Sequence, residues 1–255
     1  MTTHLFLPDT QVKEGVPMAH LRACGNLIAE LKPDKIIHIG DHADMPSLSS
    51  YDKGKKSFEG RRYKKDIDAA QEGMRVLLDP LWELQGKQRK NKLKVYKPVQ
   101  ILTLGNHENR INRAVNDAAQ FDGLISTKDL GFEEMGWNVI PFLQPVVVDG
   151  ITYVHYVHNI NSPSPISRAH LNAARKHCSV SCGHNPGFDY YVSPFKTKGR
   201  RIQCLIAGSF YMHDEEYKGP QGNEHWRGIV IKRNVVEGQY DPEFISIDSL
   251  LENWL

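Results

Sequence analysis

Residues 35–44 read KIIHIGDHAD, and this stretch decides the fold class. The apolar run ends at Gly40 and polar residues follow at once, as at the end of a buried strand that enters a tight turn. Residues 100–108, QILTLGNHE, repeat the arrangement with a strand that ends before Gly105. A helical pattern separates the two strands, and this β–α–β order predicts a parallel or mixed sheet.

Two helices and a further strand extend this pattern. His4–Leu7 is a predicted short strand, and Met18–Leu31 carries apolar residues at helical spacing. Residues 59–84 predict a long helix whose apolar face consists of Ile67, Ala70, Met74, Leu77 and Leu81. We expect this helix to bend near Pro80, because proline cannot donate a backbone hydrogen bond.

The second half of the chain is richer in strands. Val146–Val148 and Ile151–Val157 flank Asp149-Gly150, which fits the type I′ turn of a hairpin. Ser167–His177 is a predicted helix, and further strands are predicted at Cys178–Cys182, Gln203–Ala207, Gly228–Arg233 and Glu243–Ile247. The pattern predicts an α/β protein with two mixed sheets packed face to face and helices outside, in a single domain over residues 1–255.

Composition excludes several classes of protein. The N-terminus has no basic leader, which argues against a signal peptide, and no apolar run approaches the ~20 residues of a membrane span. The cysteines have no paired zinc-site spacing, so we expect small core residues in a reducing compartment; they are Cys24, Cys178, Cys182 and Cys204. These features predict a cytoplasmic protein with no membrane partner.

Positive charge is concentrated in three stretches. Residues 53–65 hold seven basic side chains and one acid, residues 87–97 hold six and no acid, and residues 196–201 read KTKGRR. Residues 53–97 thus form a long, basic, helical insertion. Such clusters suit a polyanion such as nucleic acid, while solvated loops and helix faces are the alternative interpretation.

Polar side chains follow five predicted strands where each strand ends. They are Asp9 and Gln11, then Asp41, His42 and Asp44, then Asn106, His107 and Glu108, then His155 or His158, and finally His184. An Asp after a single strand is usually a turn or cap residue. Five such strand ends in succession, each with an oxygen or imidazole group, predict one shared site.

The residue types suit two divalent cations about 3.5–4 Å apart. Asp41 is the natural bridging ligand. One cation would take Asp9 and Gln11, and the other would take Asn106, His184 and the strand-end histidine. His107 is then suited to protonate the leaving oxygen, with Asp44 holding its ring in one tautomer.

The motifs D-x-Q (9–11), G-D-x-x-D (40–44), G-N-H-E (105–108), a strand-end His and G-H (183–184) together resemble the five blocks of the calcineurin-like metallophosphoesterases. The tail from Ala207 to Gly228 is similar to the end of the bacteriophage-encoded members. The resemblance implies a four-layer α/β/β/α sandwich, a dinuclear site for Mn²⁺-type metals at the strand ends and hydrolysis of phosphate esters. A phage-encoded member would act in the host cytoplasm.

Two positions depart from the family pattern. Gln11 stands where the first block usually has His, and Pro186 stands where the last block often has a second His. Both changes affect the metal at Asp9, and fewer nitrogen ligands favour Mn²⁺ or Mg²⁺ over Zn²⁺ there. Two divalent cations are expected, Mn²⁺ first, with Mg²⁺, Zn²⁺, Fe or Ni²⁺ as alternatives.

Several assignments keep an alternative. His155 precedes an aromatic, as in the phage-type members, and is favoured as the ligand over His158. Arg110 is suited to contact a substrate phosphate or to pair with Glu108. His42 is a further candidate for substrate contact, with an exposed loop histidine as the alternative.

The resulting prediction is a metal-dependent phosphoesterase that acts on phosphodiester bonds of a nucleic acid or nucleotide. The first alternative is a phosphomonoesterase acting on a nucleotide or small molecule. The second is a binding protein of the same fold that has weakened metal affinity, which Gln11 and Pro186 favour. Retention of His107 and Asp44 argues against that alternative.

Overall fold

The computed structural model describes residues 1–52, 54–196, 199–215 and 218–255. The helices and strands are, in chain order, β1 Thr2–Leu7, α1 Ala19–Leu31, β2 Lys35–His38, α2 Tyr63–Lys90, β3 Val99–Thr103, α3 Asn109–Asp117, β4 Asn138–Ile140, β5 Val146–Val148, β6 Ile151–Tyr153, α4 Ala169–Lys176, β7 Ser179–Cys182, β8 Phe188–Val192, β9 Gln203–Ala207, α5 Gly219–Gly222, β10 Gly228–Val236, β11 Gln239–Ser246 and α6 Ile247–Trp254. Short 3₁₀ turns occur at Pro46–Leu48, Ser50–Asp52, Lys56–Phe58, Ala119–Phe121 and Thr127–Leu130.

Within the described residues, the first sheet has six strands in the order β11-β10-β1-β2-β3-β4. β1 to β4 run parallel to one another, with Leu5 opposite Ile36 and Ile36 opposite Gln100. β10 joins them antiparallel to β1 and is paired in turn with β11. The carboxyl ends of β1, β2 and β3 therefore meet at one edge of this sheet.

The second sheet has the order β5-β6-β7-β9-β8 in the part of the chain that the structure describes. β6, β7 and β9 are parallel, while β5 and β8 pair antiparallel at the edges. The predicted hairpin connects β5 to β6, and Asp149 and Gly150 have φ values of +48° and +83°, as a type I′ turn requires. Both sheets are mixed, which confirms the predicted fold class at this level.

Alternate residues along the central strands enter different cores, because successive side chains in a strand point to opposite faces. In β1, Leu5 and Leu7 pack toward the helices, whereas Phe6 packs between the sheets. The core between the sheets also takes Ile37, Ile39, Ile101, Ile151, Tyr153, Leu205 and Ala207. The two sheets therefore pack face to face.

Helices cover the outer faces of both sheets. The core outside the first sheet includes apolar residues of α1, α2 and α6, and the core outside the second sheet includes Ala169 and Ala173 of α4. The layer order is thus helices, sheet, sheet, helix. None of the helices in the described ranges has the length and apolar character needed to cross a lipid bilayer.

α2 is the connection that carries the chain from β2 to β3. It begins at Tyr63 and continues through Pro80 to Lys90, so it ends six residues later than predicted. Its predicted apolar face is buried against α1 in the same core as β1 and β3. The stretch predicted as an insertion therefore contributes a core helix as well as exposed basic ends.

Five elements were not predicted, and one strand is four residues shorter than predicted. The short elements β4 and α5 and the mixed-polarity strand β8 lack a strong periodic pattern in the sequence. Helices α3 and α6 do carry apolar residues at helical spacing, as Ile247, Leu250, Leu251 and Trp254 show in α6, and this signal was missed. The strand expected over Ile151–Val157 ends at Tyr153. His155 consequently lies in the loop after the strand.

Candidate metal centre

Asp41 lies at the centre of a buried cluster where β2, β3 and β6 end. Its Oδ1 accepts a hydrogen bond from the main-chain N–H of His107 at 2.8 Å, and its Oδ2 lies 3.3 Å from His155 Nε2. The backbone at Asp41 has a φ of +48°, so the chain turns sharply directly after Gly40. This turn directs the carboxylate toward β3 and β6.

Four side chains converge on one point beside Asp41. Ligand atoms of Asp41, His155 and His184 all lie within 4.8 Å of one another. Asn106 Oδ1 lies 3.0 Å from His155 Nε2 and 2.6 Å from His184 Nδ1. One carboxylate, one amide oxygen and two imidazole nitrogens form a ligand set that suits a divalent first-row metal.

The hydrogen bonding of His155 tests whether this set fits a cation. Its Nδ1 lies 2.8 Å from the carbonyl oxygen of Ile39, which can only accept, so Nδ1 carries a proton. Without a metal, the raised pKa of His155 favours a second proton on Nε2, which then donates to Asn106 Oδ1 at 3.0 Å and lies 3.3 Å from Asp41 Oδ2. A metal ion that replaces this proton would be bound by the same three atoms, so the residues fit a divalent cation.

Electrostatics at the cluster reflect several buried charges close together. Burial opposes protonation of His155, but Asp41 and Asp9 raise its pKa to about 9. Burial would raise the pKa of Asp41, yet His155 and His107 hold it well below its usual range. Burial and the neighbouring His155 lower the pKa of His184 to about 4, which keeps this ring neutral near pH 7. Without a metal, the site thus holds an ionised Asp41, a neutral His184 and a protonated His155, which must lose its Nε2 proton to bind a metal ion.

Asp9 lies beside the cluster at the end of β1. Both of its carboxylate oxygens accept the main-chain N–H of His184, at 3.2 and 2.9 Å. Gly183 permits this approach, because a Cβ there would overlap Asp9 Oδ1. Burial raises the pKa of Asp9 to about 7, against the lowering effect of His155, and repulsion from Asp41 adds to the rise.

A main-chain hydrogen bond holds Gln11 next to Asp41. Its N–H donates to the carbonyl oxygen of Asp41 at 2.8 Å. Its side-chain amide makes no hydrogen bond among the residues that the structure describes. The Asp9 side of the site therefore has fewer converging ligand atoms than the side formed by Asn106, His155 and His184.

His107 and Asp44 form a hydrogen-bonded pair next to the cluster. His107 Nδ1 lies 2.7 Å from Asp44 Oδ1 and 2.9 Å from the Asp44 carbonyl oxygen, so Nδ1 donates. Burial lowers the pKa of His107, but Asp41 and Asp44 together raise it above its ordinary value. His107 Nε2 lies 3.8 Å from Asp41 Oδ2 and thus faces the cluster.

Arg110 and Glu108 have separate partners. Arg110 donates to the carbonyl oxygens of Asp44 at 2.8 Å and Met45 at 3.2 Å, and a second guanidinium nitrogen lies 3.4 Å from His107 Nε2. Glu108 instead accepts the main-chain N–H groups of Asp41, Ala43 and Gly105 at 2.8 to 3.0 Å. The alternative that Arg110 pairs with Glu108 is therefore wrong, and Glu108 connects the two loops.

The position of the His42 side chain differs from both predictions made from the sequence. The side chain is fully buried, its Nε2 donates to the Ala70 carbonyl oxygen at 3.0 Å, and its Nδ1 lies 2.8 Å from Thr10 Oγ1. Burial lowers its pKa to about 4. A ring with both nitrogens engaged inside the protein cannot contact substrate, and neither of the two interpretations drawn from the sequence holds.

The two histidines proposed for the fourth block are now separated in space. His155 is buried within the cluster, while His158 is exposed and its residue pairs with Pro165 in the following loop. Two residues near His107 were not expected from the sequence. Lys13 Nζ lies 3.0 Å from Asp44 Oδ2 and 2.9 Å from Glu215 Oε1. No motif in the sequence indicates that residues 13, 44 and 215 meet.

The basic clusters lie at opposite ends of α2. The cluster at 53–65 is connected to the site loop, because Arg61 donates to the Pro46 carbonyl oxygen at 3.0 Å. The cluster at 87–97 precedes the amino end of β3, and the two clusters are about 33 Å apart along α2, from Lys65 to Lys87. Lys53 of the first cluster and Thr197 and Lys198 of the third lie outside the described residues.

Neither a protein-family model nor a curated protein matches this chain. The resemblance to the calcineurin-like metallophosphoesterases is therefore a prediction that rests on its motifs. The geometry of Asp9, Asp41, Asn106, His155 and His184 supplies independent grounds for a function.

Proposed function

We propose that the protein is a metal-dependent phosphoesterase that hydrolyses phosphodiester bonds of a nucleic acid or nucleotide. One observation carries the proposal: a converging ligand set around Asp41 lies directly beside the hydrogen-bonded pair of His107 and Asp44. A metal-binding cluster alone would suit a structural ion. An adjacent imidazole held by a carboxylate adds a group that can transfer a proton.

The ligand set divides into a stronger and a weaker half. Asp41, Asn106, His155 and His184 would hold one divalent cation, and Asp9, Asp41 and Gln11 would hold the second. When bound, such cations acidify a water molecule and stabilise negative charge on phosphate oxygens. We propose Mn²⁺ for both positions, since oxygen ligands predominate at the second.

His107 would act as the proton donor to the leaving oxygen. Asp44 holds the Nδ1–H, so the second ring proton lies on Nε2, which faces Asp41 and the cluster. The raised pKa of His107 favours the protonated ring from which a proton can be given. Arg110 lies against the same nitrogen and would contact a phosphate oxygen of the substrate.

The fold supports the proposed family, and the distribution of positive charge supports the proposed substrate class. Two facing mixed sheets with helices outside are what the four-layer metallophosphoesterase sandwich requires. The basic cluster at 53–65 is attached to the loop that carries Asp41 and Asp44, where it would meet a polyanion bound at the site. The cluster at 87–97 is too distant to contribute to the same phosphate.

Hydrolysis of two chromogenic esters tests the proposal. Protein loaded with Mn²⁺ should hydrolyse bis-p-nitrophenyl phosphate faster than p-nitrophenyl phosphate. For diphenyl phosphate, whose leaving group needs a proton, His107→Ala should lower kcat by about 10²–10⁴-fold. Preference for the monoester would instead identify a phosphomonoesterase. Equal rates for the wild type and His107→Ala on diphenyl phosphate would show that His107 is not the proton donor.

The weak Asp9 half of the site favours a second candidate function, that of a metal-binding protein without catalysis. Gln11 contributes only a backbone hydrogen bond toward Asp41. Metal analysis after dialysis distinguishes the two: a catalyst retains or readily regains its metal together with activity, whereas the binding protein retains a single ion and hydrolyses neither ester.

A further inference from the structure

Lys13 occupies an unusual position for a lysine near a cationic site. It lies four residues after Asp9, and its Nζ contacts two carboxylates, Asp44 Oδ2 at 3.0 Å and Glu215 Oε1 at 2.9 Å. Its side chain is about one quarter exposed, at 24%. Lys13 therefore connects the loop after β1 with the loop after β2 and with the segment between β9 and β10.

Glu215 is itself held in place. Its carboxylate Oε1 also lies 2.8 Å from His213 Nε2, and its main-chain N–H and C=O groups both bond to the side chain of Asn223, at 2.9 and 3.0 Å. Glu215 is buried. A carboxylate fixed on its backbone and its side chain gives Lys13 a rigid anchor.

The two oxygens of Asp44 have different partners. Oδ1 accepts from His107 Nδ1 at 2.7 Å, and Oδ2 pairs with Lys13 at 3.0 Å. Rotation of the carboxylate would break both contacts at once. The orientation of the His107 ring thus depends on Asp44, and the orientation of Asp44 depends on Lys13.

We propose that Lys13 and Glu215 are positioning residues for proton transfer by His107. The inference rests on the proposed phosphoesterase function. In the step it concerns, a water oxygen forms the new bond to phosphorus and releases its proton to solvent. The leaving oxygen keeps the electron pair of the broken P–O bond and takes the proton from His107 Nε2. Lys13 and Glu215 touch none of these atoms; they hold the ring at the angle that the transfer needs.

If Lys13 positions His107, the loss of kcat in a Lys13 variant should depend on the leaving group. A p-nitrophenolate leaves readily without a proton, whereas a phenolate, whose conjugate acid has a pKa of about 10 as in tyrosine, needs one. Lys13→Met should therefore lower kcat about 10–100-fold for diphenyl phosphate and less than about 3-fold for bis-p-nitrophenyl phosphate, with KM unchanged, since a full general acid contributes about 10²–10⁴-fold.

Four further variants complete the activity measurement. Lys13→Arg keeps the charge and should restore most of kcat. Glu215→Gln should also lower kcat more for diphenyl phosphate than for bis-p-nitrophenyl phosphate. The double variant Lys13→Met/Glu215→Gln should not lower kcat further than Lys13→Met alone, because both residues act through one contact. Arg233→Met is the matched control, because it removes an exposed basic side chain paired with Glu243 at 2.7 Å, outside the three basic clusters and without touching Asp44. Equal loss of kcat for both diesters in Lys13→Met would overturn the inference.

A measurement without catalysis separates this inference from the proposed function. In ¹⁵N NMR spectra of the His107 ring, the wild type and Arg233→Met should show a protonated Nδ1 held in the hydrogen bond to Asp44. Lys13→Met, checked for an unchanged thermal unfolding profile, should lose that defined signal or mix the tautomers. An unchanged His107 spectrum in folded Lys13→Met would overturn the positioning role. Absence of hydrolysis in the wild type would count only against the phosphoesterase function.

Discussion

Gly105 lies so close to Asp41 that a Cβ at position 105 would overlap the Asp41 carboxylate oxygen Oδ1 and main-chain nitrogen. The loops after β2 and β3 are therefore packed backbone against backbone. Glu108 Oε2 joins them further, since it accepts the N–H groups of both Asp41 and Gly105. The glycine before Asn106 is required for this approach, and the metal ligands Asp41 and Asn106 take their relative position from it.

Gly105→Ala should consequently damage the site as well as the fold. Either Asp41 or the β3 loop must move, so we expect destabilisation of about 1–3 kcal/mol and weakened Mn²⁺ binding. Urea unfolding and calorimetric Mn²⁺ titration measure the two effects. Gly86→Ala on α2 is the control, because nothing lies within 4 Å of a Cβ there. It should stabilise the protein by about 0.5–1 kcal/mol, since alanine is the better helix former.

The assignment of His155 as a ligand gives a second prediction. His155→Ala removes one of two imidazoles from the Asp41 cluster and should weaken Mn²⁺ binding by at least about 10–100-fold. His158→Ala, which alters an exposed ring three residues further on, should leave the affinity unchanged. Titration of dialysed protein with Mn²⁺ measures both. Weakened binding in His158→Ala alone would reverse the assignment.

The unequal halves of the site predict unequal affinities. A Mn²⁺ titration should show one tight and one weak site, because Gln11 adds no side-chain contact near Asp41. Gln11→His would supply a nitrogen ligand and should tighten the weak site by about 10-fold, while Asp9→Asn should abolish it. Neither substitution should alter the Mn²⁺ affinity of the tight site. Two equal sites in the wild type would contradict the division.

Buried His20 predicts a pH dependence of stability. Burial and the neighbouring His213 lower its pKa from 6.5 to about 3. Between these values the unfolded chain binds a proton that the folded protein does not, so the free energy of unfolding falls as the pH falls below 6.5 and the full stability is present above it. The contribution of one such histidine between pH 6.5 and 5 is on the order of 2 kcal/mol.

The test compares variants of the metal-free protein. His20→Leu should show a shallower loss of unfolding free energy between pH 6.5 and 4 than the wild type, as measured by urea unfolding at each pH. His170→Leu changes an exposed histidine on α4 and should keep the wild-type slope. Identical slopes in all three proteins would show that His20 does not contribute.

The separation of the basic clusters predicts that only one serves the site. For a nucleic-acid substrate, neutralising Lys56, Arg62 and Lys64 should raise KM and reduce the salt slope of binding by up to about 0.7–0.9 for each phosphate that is no longer neutralised. Neutralising Lys90, Lys92 and Lys94, at the far end of α2, should leave KM unchanged. Measurement of KM at several salt concentrations compares the two triple variants. An equal effect from both would place substrate along the whole helix.

Local patterns in the sequence determined most secondary structure. The buried strands at β1, β2, β3 and β9 follow from apolar runs that end in polar residues or glycine, and the β5–β6 hairpin follows from Asp149-Gly150, whose φ values are both positive. The sequence also named the residues at the carboxyl ends of the parallel strands. Parallel strands bring such ends to one edge, so Asp9, Asp41 and Asn106 could be expected to meet.

Only the tertiary structure decided which of these residues face one another. It placed His155 in the cluster and His158 outside, buried His42 against Ala70, and gave Glu108 to three backbone amides. These outcomes depend on loop paths and on the stacking of two sheets, which local periodicity does not encode.

The positions of the charged side chains relative to one another also depend on tertiary packing. The stretches 53–65 and 87–97 look like one basic region in the sequence, yet they lie at opposite ends of helix α2. Lys13 and Glu215 are 202 positions apart and form a direct contact. Separation along the sequence determines neither the distance between the two basic clusters nor the contact between Lys13 and Glu215. Packing of the whole fold determines which segments meet. The sequence thus determined the chemistry available at the strand ends, and the tertiary structure decided the partners of each group.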